Sequence, residues 1–533
     1  MFNELAELME LHGENPFKHR SYTVASQVIR KMDAPALGLS MEELLSLKGI
    51  GTAIAAKIHE IGDTGKLALL EKFRSMTPVG VREMLKVKGI GPSKVRSIWR
   101  DMGIETPGEL AYACEENRLA ATKGFGQKLQ ETIRQGLAFA LENSGKFLYS
   151  TLSAEATSLI SAIRAANPGV SIEICGELRR AELTLQAIEL LIASTDWQLP
   201  VDLSHQKEDN YLWKEYFPVR IYVCDKLHFG YELAQRTSGS EVFVQNFLQP
   251  LAKSELFEEQ ALFEANGMKW IPPECRDLNH YGQFDATLLV DADAIRGVIH
   301  THSKYSDGAC SIEQLARECM RLGYTYLVVS DHSRSAFYAN GLSIERVEQQ
   351  WREIDQLNKD LAPFRIFKSI ESDILSDGSL DYPDDVLDGF DLVIASVHSQ
   401  MKMDEQQATE RLLRAIRHPR TRILGHMTGR LLLSRPGYPL HIPSIIEACA
   451  ERGVCIELNA NPMRLDIDWN WIPEAMERKV LISINPDAHN LSGIRDISYG
   501  VIAARKGGLV KNLCLNCRSL SEFISWIGKK SNF

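Results

Sequence analysis

Nine side chains in the second half of the chain are of types that hold divalent cations: His300, His302, Asp307, His332, Glu371, His398, His426, Asp487 and His489. Seven short apolar runs, AIRGVI (294–299), YLVVS (326–330), RIFKSI (365–370), DLVIAS (391–396), RILG (422–425), VCIEL (454–458) and VLISI (480–484), alternate there with helical stretches. That alternation predicts parallel strands joined by crossover helices. Six of the seven runs are followed at once by members of the set, and Asp307 falls within the first loop. A lone histidine is more often a hydrogen-bonded or surface residue, and His418 and His441 are left in that class. Nine groups in phase with the strands gather where barrel loops converge on one mouth. Imidazole with carboxylate suits zinc, manganese or iron, and the set contains no cysteine to suggest a purely structural zinc site. Adjacent cations acidify a water and neutralise phosphoryl oxygens, so the expected chemistry is phosphoester hydrolysis without a protein nucleophile. Lys304 and Arg430 are candidates for clamping the phosphate, and ordinary loop salt bridges explain them equally well.

A different kind of site is written in the first third. LLSLKGIGTAIAAKI (44–58) and MLKVKGIGPSKVRSI (84–98) share one design: a short helix, a Gly-Ile-Gly turn, and a second helix opened by Thr52 or Pro92. Glycines at 49, 51, 89 and 91 permit a tight turn whose backbone N–H groups face outward at a helix N-terminus, where a phosphate oxygen is favoured. Lys57, Lys94 and Arg96 lie on the following helices, and a weaker third copy runs from Lys123 through Gly124 and Gly126 to Lys128. The formal net charge is −10, yet Lys48 to Arg100 holds eleven Lys or Arg against four Asp or Glu, a patch that would attract a polyanion. The bland alternative is a pair of αα-turns with a solvated basic face.

At 533 residues the chain exceeds the size at which one core keeps growing, so several domains are expected. No run approaches the roughly 18 apolar residues of a membrane span. MFNELAELMELHG is acidic and amphipathic rather than a leader, giving the expectation of a cytoplasmic protein with no membrane partner. The ten cysteines are scattered, and Cys514 and Cys517 form the single C-x-x-C without a second pair, so reduced thiols are expected. Oligomeric state is not legible; a monomer is the default.

The hairpin repeats, preceded by NPFKHRSY (15–22), resemble the lyase-like and fingers regions of family X DNA polymerases, and ICGELRRAELTLQAIELLIAS (174–194) resembles that family's palm motif. The resemblance implies a Schiff-base lysine at Lys57, a position equally suited to a phosphate contact. It breaks where nucleotidyl transfer occurs: the two D-x-D aspartates are replaced by Ala187 and Glu189, the third falls at Pro218, and the Gly-Ser step is Gly176-Glu177. Carboxylates must cluster to hold two ions about 3.5–4 Å apart, so polymerisation is expected to be lost. Arg179 and Arg180 remain, and the domain is expected to fold and still hold a template or 3′ end. The strings HTHSKYSDG, SDHS, SIESDI, ASVHS, GHMTGR and NPDAH closely resemble the PHP (polymerase and histidinol phosphatase) superfamily; LDYPDD, TGR and NANPMRLDIDW are like the PHP domain of bacterial family X polymerases.

The resemblance implies a multidomain chain: 1–80 lyase-like with a helix-hairpin-helix, 81–145 fingers-like with another, 146–290 an α+β nucleotidyltransferase-like degenerate palm and thumb, and 291–533 a distorted (β/α)7 PHP barrel. It implies three divalent ions, Mn²⁺ or Zn²⁺ with Fe²⁺ as a further choice. His300, His302, Glu371 and Asp487 would hold one, Glu371 bridging to a second on His398 and His426, and Asp307, His332 and His489 the third. Glu371 and Asp487, with Arg430 and Lys304, are then the candidate catalytic residues, and DNA, gapped, 3′-ended or abasic, is the partner. The leading expectation is a manganese-dependent 3′→5′ exonuclease in base excision repair. Its rivals are an abasic endonuclease or 3′-phosphatase on the same metals, an inert DNA-binding scaffold, a small-molecule phosphatase, and a gap-filling polymerase served by Glu189 with Asp202 or Asp225.

Overall fold

The structure, a computed structural model, describes every residue except 31, 33–34, 88, 116–117, 123, 195, 252–254, 280–284 and 529–533. It falls into two compact units, Met1–Ser144 and Gly145–Phe533. The first is helical around one continuous apolar cluster that includes Leu5, Ile54, Val81, Val95 and Ile133. Its hairpins use helices α1 (Met41–Ser46), α2 (Thr52–Thr64), α3 (Val79–Met84) and α4 (Pro92–Met102). Ser40 and Glu43 form a reciprocal cap at the start of α1, which satisfies amide groups the first turn leaves open.

The second unit opens with helix α5 (Tyr149–Ala166) on a five-stranded sheet. Its strands are β1 (Ile172–Ile174), β2 (Ile188–Ile192), β3 (Leu203–Lys207), β4 (Asn210–Trp213) and β5 (Phe217–Val223), in the order β1-β2-β5-β4-β3. Leu152, Leu159 and Ile163 of α5 pack on Ile188, Leu190 and Ile221, so the apolar residues that survive in the palm motif are those that bury its sheet.

Seven parallel strands follow in sequential order: β6 (Gly297–Thr301), β7 (Tyr326–Val329), β8 (Arg365–Asp373), β9 (Leu392–Ser396), β10 (Thr421–Leu424), β11 (Cys455–Asn459) and β12 (Ile482–Asn485). A parallel bridge between Thr301 and Ala488 joins last to first, where the His302 amide donates to the Ala488 carbonyl at 2.8 Å. Nearly every residue of these strands is buried, as a sheet covered on both faces requires. The C-terminal helix α6 (Leu520–Ile527) closes the N-terminal end of the barrel, its Phe523 stacking 4.5 Å from Tyr326. The opposite end is left as the mouth.

Each strand differs from its expected run by a residue or more at one end or both, and two of the shifts bring a candidate ligand into a strand. The first strand begins three residues late, after a 3-10 turn at Ala292–Ala294 capped by Asp291, and runs on to Thr301, so His300 lies inside β6 rather than beyond it. Strand β8 runs on to Asp373, so Glu371 is likewise a strand residue.

Candidate metal centre and nucleic-acid interface

Glu371 is the hub of the barrel mouth. It is fully buried, and five imidazoles lie within 3.6 Å of its oxygens: His426 at 2.9 Å, His332 at 3.0 Å, His398 at 3.1 Å, His300 at 3.4 Å and His302 at 3.6 Å. Asp487 is 2.9 Å from His302, and Asp307 is 3.4 Å from His489 and 3.7 Å from His332. Three ligand groups result: His302, Asp307, His332 and His489; His300, His302 and Asp487; and His332, Glu371 and His398. All nine residues are thus at one place, with the difference that His302 and His332 each serve two groups. His300 and Asp487 have positive φ values of 66° and 51°, a backbone cost of the kind borne where a site dictates conformation.

The donor set fits divalent cations. Both Glu371 oxygens and His300 Nε2 are buried yet make no hydrogen bond, which leaves lone pairs without a proton to accept. Burial alone would raise the Glu371 carboxyl, but His398, His300 and His332 hold it well below the usual carboxylate range. Burial and the imidazoles of His489 and His332 push His302 down to about 4, its neutral, ligating state. For His398 and His489 burial is outweighed: Glu371 and Asp373 raise the first to about 10, while Asp307 and Asp487 raise the second to about 9. A cation bound here would displace those protons.

Behind the ligands stands a layer that the strand phase did not reveal. Glu457, in the one strand without a ligand after it, accepts from His300 Nδ1 at 2.6 Å, the His426 amide at 3.0 Å, Asn459 at 3.0 Å and Asn485 at 2.7 Å. Asp373 accepts from His398 Nδ1 at 2.5 Å. Asp331, the residue before His332, gathers Ser303, Ser306 and Gln350 and so ties the first ligand loop to the second. An acid inside an apolar run was the available signal for Glu457.

The phosphate clamps divide. Lys304 is exposed on the first loop. Arg430 takes the salt-bridge alternative in place of a phosphate clamp: its guanidinium holds Asp468 and the carbonyls of Arg464 (3.0 Å) and Leu465. The arginine it positions is Arg464, whose Nε lies 3.8 Å from Asp487 and whose Nη1 makes no hydrogen bond.

In the hairpins Gly49 and Gly89 take φ values of 103° and 99°, while Gly51 and Gly91 sit extended as N-caps of α2 and α4. Ile50 and Ile90 are buried plugs, so the two copies match in detail. The third keeps the first glycine (Gly124, φ 92°) and a buried Phe125, but Gly126 has φ 62° and the turn departs there; Lys123 lies outside the described residues. Lys57 is half-buried in the second turn of α2. Lys94 is a correction to the phosphate-contact set: its ammonium bonds the Gly124 carbonyl and lies 4.7 Å from the Phe125 ring, stapling the second turn to the third. Arg96 is exposed and lies against Gly13.

In the palm, Ile188 pairs with Val219 and Glu189 with Arg220, a register that sets Ala187 beside Pro218. The Glu189 carboxylate meets Arg220 at 3.4 Å, Tyr222 at 3.3 Å and the Glu177 amide at 3.3 Å, filling the space over Gly176. Asp225 caps the next turn and bonds His228 at 2.8 Å. Among the described residues every group of three or more candidate ligands is in the barrel. Arg179 and Arg180 are engaged within the protein: Arg179 bonds Thr237 and, through both terminal nitrogens, Glu259, while Arg180 bonds Asp277 and the Thr237 carbonyl.

A parallel barrel with nine imidazole and carboxylate side chains gathered at its open end, preceded by helix-hairpin-helix turns, defines a metal-dependent phosphoesterase joined to a DNA-binding region. Residues 1–67 match a helix-hairpin-helix domain, 81–138 a SAM-like helix-hairpin-helix tandem, and 299–461 the PHP domain. Over 555 aligned residues, 98% of this chain and 97% of the relative, it is 34% identical to "DNA polymerase/3′-5′ exonuclease PolX" of Bacillus subtilis (strain 168). The chain belongs to that PolX family. Part of the chain is also similar to "probable phosphatases": 27% identity over 230 residues in Thermoanaerobacter sp. (strain X514), covering 41% of this chain and 88% of the relative. A second, from Caldanaerobacter subterraneus subsp. tengcongensis, is 29% identical over 171 residues, 30% of this chain and 60% of the relative. No helix among the described residues is long and apolar enough to cross a membrane.

Proposed function

We propose that the protein is a metal-dependent DNA phosphodiesterase, a Mn²⁺-dependent 3′→5′ exonuclease in base excision repair, and that it no longer polymerises. The observation that carries the reading is the convergence of five histidines on the unsolvated Glu371 carboxylate, with both of its oxygens free of hydrogen bonds. Three ions are proposed, on the nine side chains named above, and they would supply an acidified water and charge neutralisation at the phosphoryl group. The chain's own residues do the rest. Glu371 stays anionic among its imidazoles, Glu457 and Asp373 fix the rings of His300 and His398, and Lys304 and Arg464 stabilise the phosphoryl charge. The hairpins at Gly49–Gly51 and Gly89–Gly91, with Lys57 and Arg96, hold the DNA backbone without reading sequence. Four domains at 1–80, 81–145, 146–290 and 291–533 are the proposed division.

The likeness to phosphatases favours one second reading, removal of a 3′-phosphate by the same centre. Product length on 5′-labelled single-stranded, 3′-recessed, 3′-phosphorylated and abasic DNA with Mn²⁺ separates the two, with and without nucleotides, for wild type and His300→Ala plus Asp487→Ala. A ladder shortening from the 3′ end, absent in the double variant, is expected. Loss of the terminal phosphate alone would favour the second reading, intact DNA throughout would sink both, and nucleotide-dependent extension would overturn the account of the palm.

A further inference from the structure

Phe337 stands on the loop after β7, five residues beyond His332, and is 89% exposed. Elsewhere such a ring would fold back onto its own surface, but this loop is pinned on every side. The Leu342 amide donates to His332 at 2.9 Å and the Gly341 amide to Ala336 at 3.1 Å, and Arg346 holds the Asn340 carbonyl at 3.0 Å. A side chain at Gly341 would run into the Ser333 carbonyl. Ser335 is fixed twice, its amide on Asp381 at 2.7 Å and its hydroxyl on Asp373 at 2.8 Å. Asp373 is the carboxylate that orients His398, so the segment carrying Phe337 and the ligand cluster share one bonded scaffold. Two residues span at most about 7 Å, which keeps the Phe337 backbone close to that shared carboxylate.

We propose that Phe337 is a stacking platform for an unpaired nucleobase of the strand whose 3′ end enters the metal centre. The proposal rests on the phosphodiesterase reading and deepens it by naming a residue that holds the strand. An exposed phenyl ring offers a π-face and no hydrogen-bonding group, so it grips any base and reads none. Arg334, on the same loop, is paired with Asp381 at 3.4 Å and lies over Tyr382 with its guanidinium carbon 5.6 Å from the ring centre, so it braces the loop that carries Phe337.

The test uses the full chain with Mn²⁺ and two 5′-labelled substrates, one with an ordinary single-stranded 3′ tail and one whose last nucleotides are abasic tetrahydrofuran units. Phe337→Ala is expected to raise KM on the ordinary tail about tenfold, the equivalent of ~1.4 kcal/mol of stacking, with kcat within about twofold of wild type. KM on the abasic tail should be the same for both proteins, and Phe337→Trp should restore tight binding. An unchanged KM on the ordinary tail, or an equal loss on both tails, would overturn the proposal. If wild type hydrolyses nothing, bis(p-nitrophenyl) phosphate included, the phosphodiesterase reading fails. Anisotropy of the labelled tails then decides the stacking separately: Phe337→Ala must weaken binding of the base-bearing tail alone.

Discussion

Glu457→Gln tests how the ligand cluster is held. Glu457 is fully buried in β11 and receives four donors, two on each oxygen: His300 Nδ1 and Asn485 on Oε2, the His426 amide and Asn459 on Oε1. Burial opposes its ionisation, but His300 favours it, and the carboxyl lies below its ordinary range. Glutamine keeps the shape and replaces one acceptor by an NH2 group, so whichever way the amide turns, two donors face a donor. Losing the His300 bond releases the ring whose Nε2 lies 3.4 Å from Glu371 and 3.6 Å from Asp487. Removing such an orienting partner typically costs about 10–100-fold in metal affinity or activity. Because the His426 backbone is anchored by the same carboxylate, the upper half of that range is expected, roughly 30–100-fold, or ~2–2.7 kcal/mol. The metal-free protein should lose about 2 kcal/mol from a broken charge-assisted bond, partly offset by removing a negative charge near Asp487. Calorimetric titration of the metal-free protein with Mn²⁺, beside thermal melts, reads both effects. Mn²⁺ affinity within about twofold of wild type, with an unchanged melt, would refute the idea that this network orients His300.

Three further outcomes are expected. Burial would raise Glu259, but Arg276 and Arg179 hold it down at about 2, below its value in an unfolded chain. Its stabilisation is therefore present above about pH 5 and lost as pH falls toward 2, so Glu259→Gln should flatten the acid limb of melting temperature against pH, and an unaltered slope there would be contrary. Gly49→Ala and Gly89→Ala place a methyl 2.8 Å from Val24 Cγ1 and 2.7 Å from Thr132 Cγ2 at positive φ, and each should cost about 1–2 kcal/mol in urea unfolding. Lys57→Gln should lower DNA affinity and reduce the salt-dependence slope by about one, whereas Lys94→Gln, already bonded to Gly124, should change stability more than slope.

The convergence of the nine candidate ligands was legible because imidazole and carboxylate at strand ends are chemically conspicuous and strand phase fixes which end they share. What holds them was not. Glu457 and Asp373 lie inside β11 and β8, where alternation gives the facing of a side chain but not its partner across the barrel. Arg430 and Arg464 are both arginines in mouth loops, and which one reaches Asp487 depends on a loop whose carbonyls Arg430 itself binds. The hairpin turns were legible to the glycine, since positive φ at Gly49 and Gly89 is a local demand. The fate of Lys94 was not, because its acceptor lies 30 residues away.

The palm's altered charges form one electrostatic account. Two-metal transfer needs several carboxylates kept free for cations, with arginines facing the phosphates. Ala187 lies beside Pro218 in the strand register, and Glu189 is drawn to Arg220 at 3.4 Å. The arginines pair inward instead: Arg179 with Glu259, and Arg180 with an Asp277 that also binds Lys506 at 2.5 Å. Lys506 is itself fully buried and reaches Glu182 and the Arg180 carbonyl, each at 3.0 Å, so the palm motif is bonded to the helix that follows β12. Buried pairs of this kind add little net stability over apolar contacts, yet losing one partner costs about 3–5 kcal/mol. Their effect here is therefore geometric: Arg180, Glu182 and Asp277 fix the palm's own loop to the Lys506 helix within the same compact unit.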